Sequence, residues 1–186
     1  MVRWLYTTVA EELGRHRNIF GCPYAPCYFG EMQYGPQGEM TAATPDGRRF
    51  GEAVTPSFGG DQGRDREGLT ALLHSAVSFD HTLASGGLTV NAALDPTLLA
   101  TPEGTDKVID LLLAYFFMGG MQAQFNGVSP AQLRAAQQDP DRHRGLLVRV
   151  AGFSGYFIQQ IPAIQEQIIR RAENAGYLHD DLLESC

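Results

Sequence analysis

The chain has 186 residues, 44% apolar and 19% charged, with a net charge of −7. Its size fits one domain, and 21 Gly and 10 Pro point to a globular protein with much loop. The acidic balance excludes a basic nucleic-acid footprint, three cysteines exclude a disulfide framework, and no apolar run is long enough to cross a bilayer. Arg64 and Arg66 alternate with Asp65 and Glu67, and Arg142 and Arg144 flank His143, so both clusters read as solvated surface. The first ten residues lack the basic start, apolar core and small-residue cleavage site of a signal peptide, so a reducing cytoplasm is expected.

Residues 2–13 predict a short amphipathic helix, with Leu5, Val9 and Leu13 at four-residue spacing. It starts without a capping residue, as if entered partway through an element. Residues 18–63 are rich in Gly, Pro and aromatics without a period and read as a long structured loop. Cys22 and Cys27 stand within it too far apart for a thioredoxin-type pair or a zinc knuckle, and Cys186 stands alone.

A helix follows over 69–78 and a strand over 88–94. Residues 106–118 predict a helix apolar on nearly every face, which implies burial on all sides and hence a larger assembly. Gly119-Gly120 ends it, and residues 121–125 predict a strand. Ser129 is placed to cap a helix whose first position is Pro130. Residues 146–150 predict a strand and 162–175 a last helix. Strands alternating with helices argue for an α/β arrangement with parallel strands.

At the end of the last strand stands Arg149-Val150-Ala151-Gly152-Phe153-Ser154-Gly155-Tyr156-Phe157. Three further stretches stand in order before it: Thr44-Pro45-Asp46-Gly47-Arg48, then Gly63-Arg64-Asp65-Arg66-Glu67-Gly68-Leu69-Thr70-Ala71, then Gln124-Phe125-Asn126. Each alone is an ordinary turn, helix start or strand. As an ordered set over about residues 41–174 they resemble the C-terminal part of the glycyl radical enzymes, the pyruvate formate-lyase superfamily. Gly152 falls on the radical position of that family. The resemblance is closer to its dehydratase, carbon–nitrogen lyase and decarboxylase members than to the formate acetyltransferase. Gly127 and the stretch Gly59-Gly60-Asp61-Gln62 depart from the pattern.

The chemistry explains the residue type. A radical at Cα is stabilised by the flanking amide nitrogen and carbonyl when the centre is planar, and only glycine has no Cβ to crowd that plane. The resemblance implies the C-terminal portion of a ten-stranded β/α barrel. It divides the chain into residues 1–40, a helix and loop region, and residues 41–186, the glycine radical domain. It implies a glycyl radical on Gly152 with no metal in this chain. S-adenosylmethionine and an iron–sulfur cluster would belong to a separate activating enzyme. It implies transfer of the radical to a thiyl cysteine and a small-molecule substrate, and it leaves room for a homodimer of the full enzyme.

In the family that cysteine sits in a Gly-Cys-x-Glu context far upstream. Gly21-Cys22-Pro23-Tyr24 does not match it, so the thiyl residue is expected outside this chain. The chain is then a fragment, one subunit of a split enzyme, or a stand-alone spare part that repairs an oxygen-cleaved pyruvate formate-lyase-type enzyme. In isolation the exposed edge of a partial barrel predicts poor solubility.

Gln124 and Asn126 are candidates to line the cavity and touch substrate, or equally strand residues bonded within the barrel. Arg149 is expected to anchor its strand through a carboxylate. Phe153, Tyr156 and Phe157 are expected to pack around the loop. His74, His81, His143 and His179 have no metal-ligand spacing.

Overall fold

The structure is a computed structural model that describes residues 2–29, 34–55, 57–60, 67–150 and 152–175. Ala151, Cys186, His179 and the Arg64–Arg66 part of one matched stretch lie outside the described residues.

Helix α1 (Val2–Arg15) presents Tyr6 to an aromatic group. Tyr6 stacks on Phe79 at 4.6 Å between ring centroids and meets Tyr28 edge-on at 4.7 Å. Phe58 and His81 extend the group. Arg3 adds a hydrogen bond from Nε to the Ser78 carbonyl. Among its described residues the long loop contains one short helix, α2 (Tyr34–Glu39), whose Tyr34 is buried. A Cβ at Gly38 would run into the Glu52 carbonyl, so glycine lets the returning loop cross this helix.

The Pro-Asp-Gly turn closes with Gly47 at φ +97°, and Thr44 and Arg48 pair across it. Arg48 is buried, and its guanidinium donates to the carbonyls of Arg49, Glu52, Thr41 and Ala42. One planar cation with five donors thereby satisfies backbone acceptors that no sheet or helix pairs.

Helix α3 (Gly68–Ala76) leads to strand β1 (Asn91–Ala93), which pairs parallel with β2 (Gln124–Asn126) in the register Asn91↔Gln124, Ala92↔Phe125 and Ala93↔Asn126. Helix α4 (Pro102–Phe117) connects them and starts four residues before the predicted position, because Thr101 caps it through its hydroxyl on the Gly104 amide. After it, the Gly119-Gly120 turn wraps the Tyr115 ring so closely that a Cβ at Gly120 would strike it. Tyr115 is buried and donates its hydroxyl to the Gln122 carbonyl at 2.9 Å.

Helix α5 (Pro130–Gln138) is capped by Ser129 as predicted. Strand β3 (Leu147–Arg149) pairs antiparallel with β4 (Ser154–Tyr156), and helix α6 (Pro162–Ala175) closes the described chain. The fold is thus mixed α/β. The last predicted strand does not join the parallel pair; it turns back at once into a hairpin, since so short a connection, residues 150–153, can only join antiparallel strands.

Alternate residues of the parallel pair face two core clusters. Ala93 faces one built from Tyr34, Leu133, Val148, Val150, Phe157 and the α6 isoleucines Ile164, Ile168 and Ile169. Ala92 faces the other, built from Leu69, Leu73, Phe79, Val90 and Tyr115.

Candidate functional site

The β3–β4 hairpin carries the site. Its register is Leu147↔Tyr156, Val148↔Gly155 and Arg149↔Ser154, and the Val150 N–H donates to the Phe153 carbonyl at 3.0 Å. Only two residues lie between that last pair, so the chain reverses within two residues, the second of which is Gly152. Its φ is +93°, in the left-handed region that side chains disfavour. A Cβ there would meet nothing within 4 Å, so the backbone angle, not space, requires glycine. Gly152 stands exposed at the tip, with Phe153 and Tyr156 on the same hairpin partly exposed. Phe157 instead is fully buried beneath.

The other glycine of the motif differs. Gly155 is in regular strand, and a Cβ there would come within 2.8 Å of the Gln160 Nε2, the movable end of a flexible side chain.

Two apolar side chains of the hairpin, Val148 and Val150, are buried in the core cluster with α5 and α6. Polar side chains tie it to the parallel sheet. The Asn126 Oδ1 accepts from the Arg149 N–H at 2.6 Å, and its Nδ2 donates to the Arg149 carbonyl at 2.7 Å. Arg149 Nε donates to Gln124 Oε1 at 2.8 Å, and one terminal nitrogen donates to Ser154 Oγ at 3.3 Å. Gln124 Nε2 in turn donates to Asn91 Oδ1. Asn91, Gln124 and Asn126 are all buried.

Gly152, Gln124 and Asn126 therefore belong to one neighbourhood. Among the described residues, Arg149 joins it through carboxamide and hydroxyl oxygens, not through a carboxylate. Asn91 and Ser154 were not singled out in the sequence. The register is the signal that would have found them, since Asn91 lies directly opposite Gln124 and Ser154 directly opposite Arg149.

Other candidates lie elsewhere. His81 is buried, with Nε2 donating to the Ala76 carbonyl at 2.7 Å and Nδ1 accepting from the Met121 N–H at 3.3 Å, which fixes its tautomer and gives it a structural task. His74 lines a cleft of about 410 Å³ between α3 and α4 together with Thr70, Leu73, Leu111 and Tyr115, and no hairpin residue lines it. Cys22 and Cys27 are free and exposed in the loop after α1. Among the described residues, no group of three or more His, Cys, Asp or Glu side chains converges, and no helix is long and apolar enough to cross a membrane.

The Glycine radical family matches residues 51–158, more than half of the chain and all of the hairpin. The 4-hydroxyphenylacetate decarboxylase glycyl radical subunit of Clostridioides difficile (strain 630) is 36% identical over 174 residues, covering 93% of this chain and 19% of that protein. Trans-4-hydroxy-L-proline dehydratase of Clostridioides difficile is 35% identical over 136 residues, covering 73% of this chain and 17% of that protein. Among solved structures, the glycerol-bound B12-independent glycerol dehydratase from Clostridium butyricum superposes with a TM-score of 0.86 at 32% identity, covering 91% of this chain and 22% of that one. The chain spans about a fifth of the length of the curated relatives it matches.

Proposed function

The chain belongs to the glycyl radical enzymes, and from that membership we propose that it is the radical-bearing C-terminal part of a radical lyase, with Gly152 as the residue that stores the unpaired electron. The observation that carries this is the positive-φ glycine at the tip of the hairpin, within the family match.

Activation removes one hydrogen atom from the Gly152 Cα, taken by an activating enzyme that uses S-adenosylmethionine and an iron–sulfur cluster. The electron left behind spreads over the flanking amides as the centre flattens, which a Cβ would oppose. In turnover a cysteine thiol outside this chain returns a hydrogen atom to Cα. Glycine is regained and the sulfur holds the unpaired electron for the substrate. Decarboxylases and dehydratases among the relatives support lyase chemistry on a small molecule, most of whose pocket lies in the part of the relatives this chain does not cover.

In the same reading, residues 41–186 are the glycine radical domain, and residues 1–40 pack on it through Tyr6, Tyr28 and Tyr34. The whole is the C-terminal portion of a ten-stranded β/α barrel at work in a reducing, oxygen-poor cytoplasm.

The test is electron paramagnetic resonance of the polypeptide that carries this sequence, after anaerobic activation. A doublet is expected from the wild type and from Gly155→Ala, and none from Gly152→Ala. The Gly152→Ala control is fair because its Cβ meets no atom and only the backbone angle strains it, by about 1–2 kcal/mol. Exposure of the activated protein to air is expected to cut the backbone at Gly152, read by intact mass. A doublet that persists in Gly152→Ala sinks the assignment.

A further inference from the structure

A carboxamide carries the same acceptor and donor as a peptide group, so a side chain can stand in for a neighbouring strand. Asn126 does so, since it is the last residue of β2 and both its polar atoms engage the two backbone groups of a single residue, Arg149. The substitution has a physical reason. β1–β2 and β3–β4 are two separate sheets, and the hairpin strands pair with each other.

What else holds the hairpin is the burial of Val148 and Val150. Hydrophobic burial is non-directional and fixes which face of a strand is buried more firmly than the exact place of its peptide groups. The paired bonds at 2.6 and 2.7 Å do fix it. A row of bonds continues the same restraint across all four strands: Asn91 of β1, Gln124 of β2, Arg149 of β3 and Ser154 of β4 each give one residue. Its members sit opposite one another in both sheets, so the row runs straight across.

We propose that Asn126 is a positioning residue for Gly152: its carboxamide clamps the peptide groups of Arg149, three residues before the turn glycine, and so sets where the Gly152 Cα stands relative to the parallel sheet. This rests on reading Gly152 as the radical site and goes beyond it. It also gives Gln124 and Arg149 a task inside the protein, holding the clamped strand to its hairpin partner, which the engaged atoms of Gln124 and Asn126 favour over direct contact with substrate.

The test uses the full polypeptide that carries this sequence, as wild type, Asn126→Ala and Asn126→Asp, with amide hydrogen exchange and the lifetime of the anaerobic doublet in the presence of a small thiol as readouts. In Asn126→Ala the Arg149 amide is expected to exchange about tenfold faster or more, while α6 amides keep their protection. The doublet is still formed, but its lifetime falls several-fold. A merely structural role would lower the amount of folded protein and hence the size of the doublet, and would leave the lifetime of the surviving radicals unchanged.

Asn126→Asp keeps the acceptor for the Arg149 N–H and is expected to retain most of its protection; it also carries the test if the alanine variant fails to fold. Arg149 exchange and radical lifetime unchanged in Asn126→Ala, or Arg149 protection lost equally in both variants, would overturn the clamp. A wild type with no doublet counts against Gly152 instead, and the clamp is then decided by the exchange of Arg149 alone.

Discussion

The hairpin half of the molecule and the α4 half use similar side chains to opposite ends. Around the hairpin, Phe157, Leu133 and Ile169 are wholly buried, and Asn126 and Gln124 nearby are engaged by Arg149. On α4, Tyr115 is wholly buried, but two residues later Phe117 is 94% exposed, and Leu113 is 62% exposed on the same helix. Among the described residues, a helix apolar on nearly every face therefore packs mainly on one side. The relatives are about five times as long as this chain's match to them. The comparison teaches that an apolar pattern reports which surface could be buried, while the described fold buries only part of it.

The largest expected effect breaks the two halves apart. Phe157→Ala removes a buried ring from the hairpin core and is expected to cost about 3–5 kcal/mol. Phe117→Ala changes the same side chain on the open face and is expected to stay within about 0.5 kcal/mol. Denaturant unfolding of both variants measures the difference. Equal losses would mean that the α4 face is covered within this chain.

Legibility follows the same division. The start of α5 and the span of α6 were readable, the first because Ser129 with Pro130 acts through local backbone chemistry. Gly152 was singled out because a motif marks it, and glycine permits the positive φ it adopts without dictating it, since Gly155 of the same motif lies in regular strand. The antiparallel return of β4 was missed because Ser154–Tyr156 is too short, with a glycine at its centre, to show a strand period. Arg48 stood in a matched motif, yet its burial among four carbonyls depends on a loop path that no local pattern encodes. The Asn126 clamp was legible only as one of two alternatives, since sequence spacing does not say which strand lies beside β2.

A smaller effect sharpens the boundary between the halves at Tyr115, the buried side of α4. Burial raises its phenol from the ordinary 10.0 to about 12. The folded state thus holds the proton more tightly, so the stabilisation is complete below pH 10 and is lost as pH rises towards 12. Tyr115→Phe removes the hydrogen bond to the Gln122 carbonyl and is expected to cost about 1 kcal/mol at neutral pH. Unfolding followed against pH should show the wild type losing its advantage over the variant above pH 10. A difference constant through that range would mean that Tyr115 ionises freely in the fold.

The smallest effect lies on the hairpin side, where α5 and α6 are joined at the surface. Arg134 forks onto Glu166 at 2.6 and 3.1 Å and reaches Glu173 at 3.0 Å. Its hydrogen bonds hold the Glu166 carboxyl below the ordinary 4.5. A lowered carboxyl pKa stabilises the fold above the unfolded value, and that contribution disappears as pH falls through the folded one. Both side chains are more than a third exposed or close to it, at 40% and 35%, so solvent screens the pair and its worth is about 0.5 kcal/mol. Arg134→Gln should accordingly lower thermal stability slightly at neutral pH and not at all once Glu166 is protonated. If the loss is instead the same at acid pH, packing of the arginine stem, not charge, is what ties α5 to the helix beneath the hairpin.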